Sequence, residues 1–363
     1  MQTVIPFGDP KAQKKWAGRL FIDTAKKSYF TRKFVGEGEN SLIQRKTELD
    51  SDSGDRISFD LSVQLRGRPV RGDNKAKGTE ESLKFFTDEV IIDQIRHPVS
   101  AGGRMTRKRT VYDLRSVAKD RLSDYWAQYL DELHFIYLSG ARGINQDFIE
   151  PTDFTGHAGN PIQAPDTMHQ MWGGAATSAA TITATDRMNR TLIERASTVS
   201  KTLRATDPTT ANMLPMTIMG EPHYVLLMHS FQEYDLRVAD TAGWLELQRA
   251  AAAAEGKNNP IFKGGLGMIN NTVLHSHESV IRFSNYGAGA NLPAARALYM
   301  GRQAGVVAYG TAGGLRYTWK EEMDDYDNEP SVVAGTIIGL KKTRFNGRDF
   351  GVMALDTHAA NPR

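Results

Sequence analysis

Residues 57–65 alternate strictly between apolar and polar side chains. The apolar positions are Ile57, Phe59, Leu61, Val63 and Leu65. Because successive side chains of a strand point to opposite faces, this pattern predicts a strand with one buried face. A polar, glycine-containing stretch follows as far as Gly78, and a second extended run covers residues 83–96. Together the two runs predict a long two-stranded arm with a polar tip.

The length of this arm bears on how the protein associates. An isolated two-stranded hairpin is at best marginally stable in water. We therefore predict that the arm, residues 41–97, lies mainly on another copy of the chain. The candidate inter-subunit contacts are the five apolar residues of its first strand: Ile57, Phe59, Leu61, Val63 and Leu65.

A period of three to four residues replaces the period of two after residue 110. One stripe carries Leu114, Val117, Leu122, Tyr125, Tyr129, Leu133 and Ile136. This spacing predicts an amphipathic helix over 110–140, with Thr110 as its N-cap and Gly140 at its end. A helix of that length extends roughly 45 Å, which suits a structural spine.

The remainder of the chain mixes several kinds of pattern. Residues 142–186 show no sustained periodicity and predict a long loop that serves as an assembly contact or an outer-surface element and not as a substrate lid. Helices are expected from Asp186, after Pro222, from near Asp240 to Gly256, and over 292–310. Strands are expected over 315–320, 332–340 and 350–355. Strands beside separate helical stretches predict an α+β fold.

Composition excludes some classes of site and leaves others open. The 363 residues include no cysteine, which excludes disulfides and thiolate metal ligands. No apolar run approaches the roughly 18 residues of a membrane span, and residues 1–10 lack a signal-peptide core. We therefore expect a protein that stays in the cytoplasm where it is made and has no membrane partner.

The net charge of +3 conceals two basic clusters. The first lies within residues 11–33 and includes Lys11, Lys14 and Lys15. The second lies within residues 96–121 and includes Arg104, Arg107, Lys108 and Arg109. Both could neutralise polyphosphate without reading its sequence. Solvated surfaces, or contacts with acidic surfaces of neighbouring subunits, are alternatives that the sequence leaves open.

Candidate catalytic groups are sparse. His275 and His277 would share one face of a strand, as two metal ligands might, but no third ligand is identifiable. The acidic turn containing Asp324, Asp325, Asp327 and Glu329 lacks the glycine and closing glutamate of an EF-hand loop. A Gly-x-Ser-x-Gly nucleophile elbow is absent. We therefore predict a protein that is not an enzyme and needs no cofactor.

Several segments resemble one family when their order and spacing are taken together. They are GDRISFDL at 54–61, LRG at 65–67, VRGD at 70–73, VIIDQIRH at 90–97, GGRM at 102–105, GTIIGLKK at 335–342 and FNGRDFG at 345–351. In these segments the chain resembles the phage N4-like major capsid protein family. The resemblance extends from about residue 35 to 357.

This resemblance implies the α+β, HK97-type shell fold and a division of the chain. Residues 1–40 would be an N-terminal arm and 41–97 the extended arm, or E-loop. Residues 98–204 would form the peripheral domain, with its spine helix at 110–140. Residues 205–314 would form the axial domain, and 315–363 would be strands returning to the peripheral domain.

The resemblance also implies a function. The chain would be the major capsid protein of a tailed bacteriophage, assembled in the host bacterial cytoplasm from hexamers and pentamers into an icosahedral shell. The shell would enclose double-stranded DNA, contacted non-specifically by the two basic clusters. Portal, scaffolding and decoration proteins would be its further partners.

Two other functions remain open on the residues alone. One is a cytoplasmic nucleic-acid-binding oligomer that uses the basic N-terminal arm. The other is a hydrolase built on His275 and His277, which needs a ligand that the sequence does not supply.

Overall fold

The computed structural model describes most of the chain. The described residues are 20, 23–24, 26–50, 54–62, 65, 67–83, 85–100, 102–109, 114–207, 210–218, 220–240, 243–244, 261, 265–311, 316–326 and 328–363. The side chains of Asp50, Thr106, Arg107 and Arg115 lie outside this description. The predicted sites at Lys11, Lys14, Lys15 and Val63, and the predicted helix cap at Thr110, also lie outside the described residues.

The helices whose bounds the structure describes are α1 (Tyr29–Lys33), α2 (Arg104–Arg109), α3 (Leu114–Ser139), α4 (Arg190–Thr206) and α5 (Ser230–Ala239). The strands are β1 (Val35–Gly36), β2 (Ile43–Lys46), β3 (Arg56–Ser62), β4 (Phe85–Ile91), β5 (Asp93–Ser100), β6 (Gly156–His157), β7 (Asn160–Pro161), β8 (Gln170–Trp172), β9 (Met216–Ile218), β10 (Glu221–Met228), β11 (Gly267–Ile269), β12 (Thr272–Ser276), β13 (Arg282–Tyr286), β14 (Leu292–Met300), β15 (Gly305–Tyr309), β16 (Thr318–Asp324), β17 (Glu329–Lys342), β18 (Arg344–Phe345), β19 (Arg348–Asp349) and β20 (Val352–His358). Short 3-10 turns lie at Glu48–Asp50 and Ala179–Thr181.

The spine helix α3 has 26 residues and extends roughly 39 Å. It ends where the sequence predicts, at Gly140, whose φ of 68° favours glycine. A Cβ on Gly140 would lie 2.1 Å from the carbonyl oxygen of Gln163, so the neighbouring backbone also requires glycine. Residues 132–139 are all buried. The predicted one-sided amphipathic stripe therefore describes only the first half of the helix.

The burial of the second half has a simple cause, because that half lies between two sheets. Its apolar side chains share one core with Val225 and Leu298 of one sheet and with Val307, Ile338 and Leu340 of the other. The helix therefore joins the two sheets into one body.

The six-stranded sheet is centred on β17. Its order is β1-β2-β15-β17-β16, and β5 also pairs with β17. Strands β5, β15 and β16 run antiparallel to β17, whereas β2 runs parallel to β15. The sheet therefore combines segments from both ends of the chain with the continuation of the arm.

The eight-stranded sheet has the order β11-β12-β10-β14-β20-β8, with β13 on β14 and β9 on β10. Every residue of β20 is buried, as are the last seven residues of β14. Helices α4 and α5 contribute Leu192, Ile193 and Leu236 to the core on this sheet. Two mainly antiparallel sheets with separate helices form an α+β fold, as the sequence predicts.

Three predicted helices are wrong or displaced. The segment 292–310 forms strands β14 and β15, and Pro222 lies within strand β10. Strands covered on both faces read as continuous apolar runs, which periodicity cannot distinguish from a buried helix. Helix α4 begins at Arg190 with Asn189 as its cap, and not at Asp186. The helix expected from near Asp240 falls largely outside the described residues.

The expected boundary at residues 314 and 315 does not separate the two sheets. Strand β15 precedes this boundary yet belongs to the six-stranded sheet, and β20 follows it yet lies within the eight-stranded sheet. The final strands therefore divide between the sheets, with β16 and β17 in one and β20 in the other.

The segment 142–186, which the sequence predicts to be a long loop, contains the short strands β6, β7 and β8 and several buried side chains. Its strand β8 pairs with β20 at one edge of the eight-stranded sheet. Asn145, Asn160 and His169 are buried, and their side chains contact polar groups of the core. The polar composition reflects these buried hydrogen bonds, which sequence periodicity does not reveal.

Candidate assembly surfaces

The predicted arm is an antiparallel hairpin of β3 and β4. Its register runs from Arg56 opposite Ile91 to Ser62 opposite Phe85. Ile57 is buried, and the polar residues that alternate with the apolar positions of β3 are exposed. The alternation over 57–62 therefore corresponds to a strand with one covered face, as predicted.

The base of the arm packs on its own subunit. Ile57 and Val90 form one cluster with Val306 and Ala308 of β15. The ring of Phe59 meets the ring of Phe345 edge to face at 6.0 Å. Two of the five predicted inter-subunit residues thus contact the chain's own body.

A buried asparagine clasps the end of β4. The side-chain oxygen of Asn160 accepts a hydrogen bond from the Ile91 N–H at 3.0 Å, and its amide donates to the Ile91 carbonyl at 2.7 Å. The Tyr137 hydroxyl of α3 donates to the Asn160 carbonyl at 2.9 Å. This chain of contacts connects the arm through β7 to the spine helix.

Two further contacts hold the end of β4 against the body of the subunit. The Asp88 carboxylate pairs with the ammonium of Lys341 and accepts a hydrogen bond from the Arg344 N–H at 3.1 Å. Gly339 lies so close to the arm that a Cβ there would be 2.0 Å from the Ile91 carbonyl oxygen. The arm therefore leaves the body from a rigid base.

The arm tip, residues 65–85, is different. Its apolar side chains are exposed: Leu65 by 54%, Val70 by 39%, Leu83 by 61% and Phe85 by 58%. Its hydrogen bonds are local, such as those from the Asn74 amide to the Arg71 carbonyl and from the Thr79 hydroxyl to the Ala76 carbonyl. Among the described residues, the body of the same subunit does not cover these apolar groups.

Leu61 lies between the base and the tip. It is partly buried, and with Phe59 it lines a groove of about 210 Å³ beside Gln44 and Lys46 of β2. Of the predicted contacts, Ile57 and Phe59 therefore lie on the subunit itself, Leu61 borders a groove and Leu65 is exposed.

Part of the first basic cluster pairs with acids of the same chain. The ammonium of Lys27 lies 2.6 Å from the Asp124 carboxylate. Lys119, from the second cluster, lies 3.2 Å from Asp23. These pairs hold the N-terminal segment against the spine helix, so these lysines already have counter-charges within the subunit.

The start of α1 is anchored by one carboxylate. Asp131 accepts hydrogen bonds from the Ser28 hydroxyl at 2.8 Å, the Tyr29 N–H at 2.7 Å and the Phe30 N–H at 3.0 Å. Burial raises the pKa of Asp131 to about 6, although these donors act in the opposite direction. Phe30 also stacks on the buried ring of His134, with centroids 4.9 Å apart.

The two candidate metal-binding histidines are packing residues in this structure. The Nε2 atom of His275 lies 2.8 Å from the Ile261 carbonyl oxygen, and burial lowers the pKa of His275 to about 4. His277 lies against the rings of Tyr29 and Phe135, at 4.7 and 5.1 Å. The described residues contain no group of three side chains able to hold a metal ion.

A buried ion pair that the sequence does not signal joins the spine to the eight-stranded sheet. The Arg296 guanidinium binds Asp356 through two hydrogen bonds of 2.7 and 2.8 Å and donates to the Ser139 carbonyl at 3.0 Å. Gln170 and Tyr286 also donate to Asp356, at 2.8 and 3.0 Å. Hydrogen bonds to both charges offset the cost of burying them.

None of the described helices is both long enough and apolar enough to span a membrane. The geometry thus gives a joined two-sheet body, a fixed arm base and an exposed arm tip.

Comparisons with known proteins identify the kind of protein. A family model described as "Phage capsid protein" matches residues 4–361. The major capsid protein of Pseudomonas phage KPP25 is 27% identical over 362 residues, covering 92% of each chain. The solved capsid of Ralstonia phage GP4 is 64% identical and covers 100% of both chains, with a TM-score of 0.89. The cyanophage Pam1 capsid shares the fold at 22% identity, with 93% of each chain covered and a TM-score of 0.73.

These comparisons decide several predictions made from the sequence. The HK97-type phage capsid fold and the capsid function are confirmed, and the family is a structural one and not an enzyme family. The narrower N4-like membership stays a prediction. Because the family model spans nearly the whole chain, the chain belongs to the phage capsid protein family and is the major capsid protein of a phage.

Proposed function

We propose that this major capsid protein assembles, in the host bacterial cytoplasm, into an icosahedral shell of hexamers and pentamers around the double-stranded DNA of a tailed bacteriophage. The observation that carries the proposal is the contrast within the arm. Its base is fixed to its own body, whereas its tip presents four apolar side chains that the described body does not cover.

The energetics of the tip favour a neighbouring subunit as its cover. Full burial of one side chain of this size contributes about 1.5–3 kcal/mol. Leu65, Leu83 and Phe85 are each more than half exposed, so a partner surface recovers much of this free energy at each of them. In a closed shell the same contact repeats at every subunit, which makes a weak single contact sufficient.

The contact with DNA is a proposal for the interior surface. Packaged duplex carries about one negative charge per 1.7 Å of axis, so a positive lining lowers the cost of confinement. Lys11, Lys14 and Lys15 are the candidates from the N-terminal arm. Arg104, Arg107, Lys108 and Arg109 form the second candidate set.

We also propose which sheet corresponds to each domain of the shell fold. The six-stranded sheet with α3 fits the peripheral domain, and the eight-stranded sheet with α4 and α5 fits the axial domain around a capsomer centre. We propose portal, scaffolding and decoration proteins as further partners of the shell.

Expression of the chain and inspection of its particles tests the proposal. We expect uniform shells, or rings of five and six subunits, by negative-stain microscopy and sedimentation velocity. The variant L65S/L83S/F85S is expected to fold with an unchanged melting temperature but to give few shells. M268S is the matched control, because Met268 is an exposed apolar residue outside the arm. A small oligomer that binds DNA in a salt-sensitive way, with no shells, would instead favour a nucleic-acid-binding oligomer.

A further inference from the structure

The turn between β16 and β17 displays an aromatic ring in water. The relative exposure of Tyr326 is 101%, so the described residues of its own subunit do not cover the ring. Asp325 and Tyr326 both adopt left-handed backbone conformations, with φ of 51° and 52°. Non-glycine residues rarely adopt this region of φ. The turn therefore holds Tyr326 outward in a conformation that gains no contact within the described subunit.

The turn is tied to the beginning of helix α2. The Asn328 N–H donates to the Asp325 carbonyl at 3.0 Å, and the Asn328 amide donates to the Asp325 carboxylate at 3.2 Å. The side-chain oxygen of Asn328 accepts a hydrogen bond from the Arg104 N–H at 3.2 Å. The turn and the first residue of α2 therefore lie side by side at one end of the six-stranded sheet.

Opposite charges occupy these two neighbouring elements. Exposed carboxylates on and beside the turn are those of Glu322, Asp324, Asp325 and Glu329; exposed basic groups on α2 are those of Arg104, Lys108 and Arg109. Glu322 pairs with Lys320 at 3.7 Å. None of the ion pairs among the described residues includes the remaining charged groups, which are those of Asp324, Asp325, Glu329, Arg104, Lys108 and Arg109.

Two carboxylates of the turn also oppose each other directly. Asp324 and Glu329 are cross-strand partners in the register of β16 and β17. Like charges in this arrangement destabilise a strand pair. Basic groups from outside the subunit would relieve this repulsion.

We infer that the turn docks on the α2 helix of a neighbouring copy, with the carboxylates facing Lys108 and Arg109 and the Tyr326 ring beside the exposed Met105. This inference rests on the proposed shell assembly. Because turn and helix lie side by side on each copy, the turn of each copy meets the helix of the other, and the same surface is used on both copies. A cation over the face of Tyr326 adds a further attraction.

A second copy suits this surface better than nucleic acid. Phosphate groups approaching α2 would meet the carboxylates of the adjacent turn. A second copy presents both signs of charge, and so satisfies turn and helix together.

Charge reversal tests the inference with a built-in control for folding. The turn variant is D324K/E329K, which keeps two like charges opposite each other, and the helix variant is K108E/R109E. At low salt each reversal is expected to lower shell yield by at least about tenfold, because it places like charges together across the contact. The variant carrying all four changes is expected to recover most of the yield.

The readouts are sedimentation velocity and particle counts, with melting of the unassembled subunit as the folding control. Y326S supplies a test that leaves the charges unchanged, and it is expected to lower shell yield without lowering the melting temperature. Wild-type yield in either charge reversal, or no recovery in the combined variant, would overturn the inference. So would a helix variant that forms normal shells and loses only DNA binding. Absence of shells from the wild-type chain would instead defeat the assembly proposal itself.

Discussion

Replacement of Asn160 by alanine removes the clasp between the arm and the body. The side chain is buried and bonds both the N–H and the carbonyl of Ile91. Alanine leaves these two backbone groups without their partners. Because both hydrogen bonds are partly buried and each such bond contributes about 0.5–1.5 kcal/mol net, we expect N160A to lower the free energy of unfolding by about 1–3 kcal/mol. That is a large fraction of the roughly 5–15 kcal/mol of a typical domain.

The local effect should be centred on the base of the arm. We expect faster amide hydrogen exchange over 85–92 in N160A than in the wild-type subunit, because the end of β4 loses its anchor. N160D preserves the shape of the side chain but places an oxygen opposite the Ile91 carbonyl. It should therefore destabilise the subunit as well.

Urea unfolding of the unassembled subunit measures the predicted change. N74A is the matched control, because the Asn74 amide donates to a carbonyl on the exposed arm tip. We expect its free energy of unfolding to change by less than about 0.5 kcal/mol. If N160A unfolded at the wild-type urea concentration and showed unchanged exchange over 85–92, the proposed clasp would be refuted.

Three other predictions concern the core. G339A should destabilise the subunit by about 1–3 kcal/mol or more in urea unfolding, because its Cβ overlaps a carbonyl oxygen of the arm. D356N should cost about 3–5 kcal/mol in the same assay, because it leaves a buried guanidinium without its counter-charge. Burial lowers the pKa of His134 and His275 to about 4 in the folded subunit. On acidification these two histidines therefore become protonated in the unfolded chain before they do so in the folded one. Thermal melting should therefore show stability falling as the pH drops from about 6.5 to about 4; Asp131, whose pKa is raised to about 6, opposes part of this loss.

Each of these three predictions has a control variant or an outcome that would refute it. The nearest atom to a Cβ at Gly38 lies 4.0 Å away, so G38A should be nearly neutral. Equal losses in G38A and G339A would show that steric overlap is not the cause. Wild-type stability in D356N would show that the buried Arg296 guanidinium does not require the Asp356 charge. If the melting temperature rose as the pH was lowered from about 6.5 to about 4, the two histidines would not dominate the pH dependence of stability.

The sequence predicts those elements whose two sides meet different surroundings. Strand β3 has one covered and one exposed face, so its alternation is visible over 57–62. The end of α3 is visible because Gly140 must adopt a positive φ. In contrast, β14 and β15 are covered on both faces, and their apolar runs resemble a helix as much as a strand.

The contacts that fix the arm are hidden from sequence reasoning for a different reason. Asn160 lies in a polar, glycine-containing segment that is typical of an exposed loop, and only the fold brings it to Ile91, 69 positions earlier. Arg296 and Asp356 are 60 positions apart and show no spacing that marks them as partners. A single sequence carries the residue types of such pairs but not their proximity.

Cross-linking within assembled particles shows whether the arm tip lies on a neighbouring subunit, as we propose. The chain has no cysteine, so L83C carries one thiol at the arm tip, which accepts a photoreactive label. Subunits with light and heavy nitrogen are mixed before assembly, and cross-linked peptides are read by mass spectrometry. We expect light–heavy peptide pairs in the proportion that random mixing gives. Cross-links confined to light–light and heavy–heavy pairs would place the tip on its own subunit and refute the proposed contact.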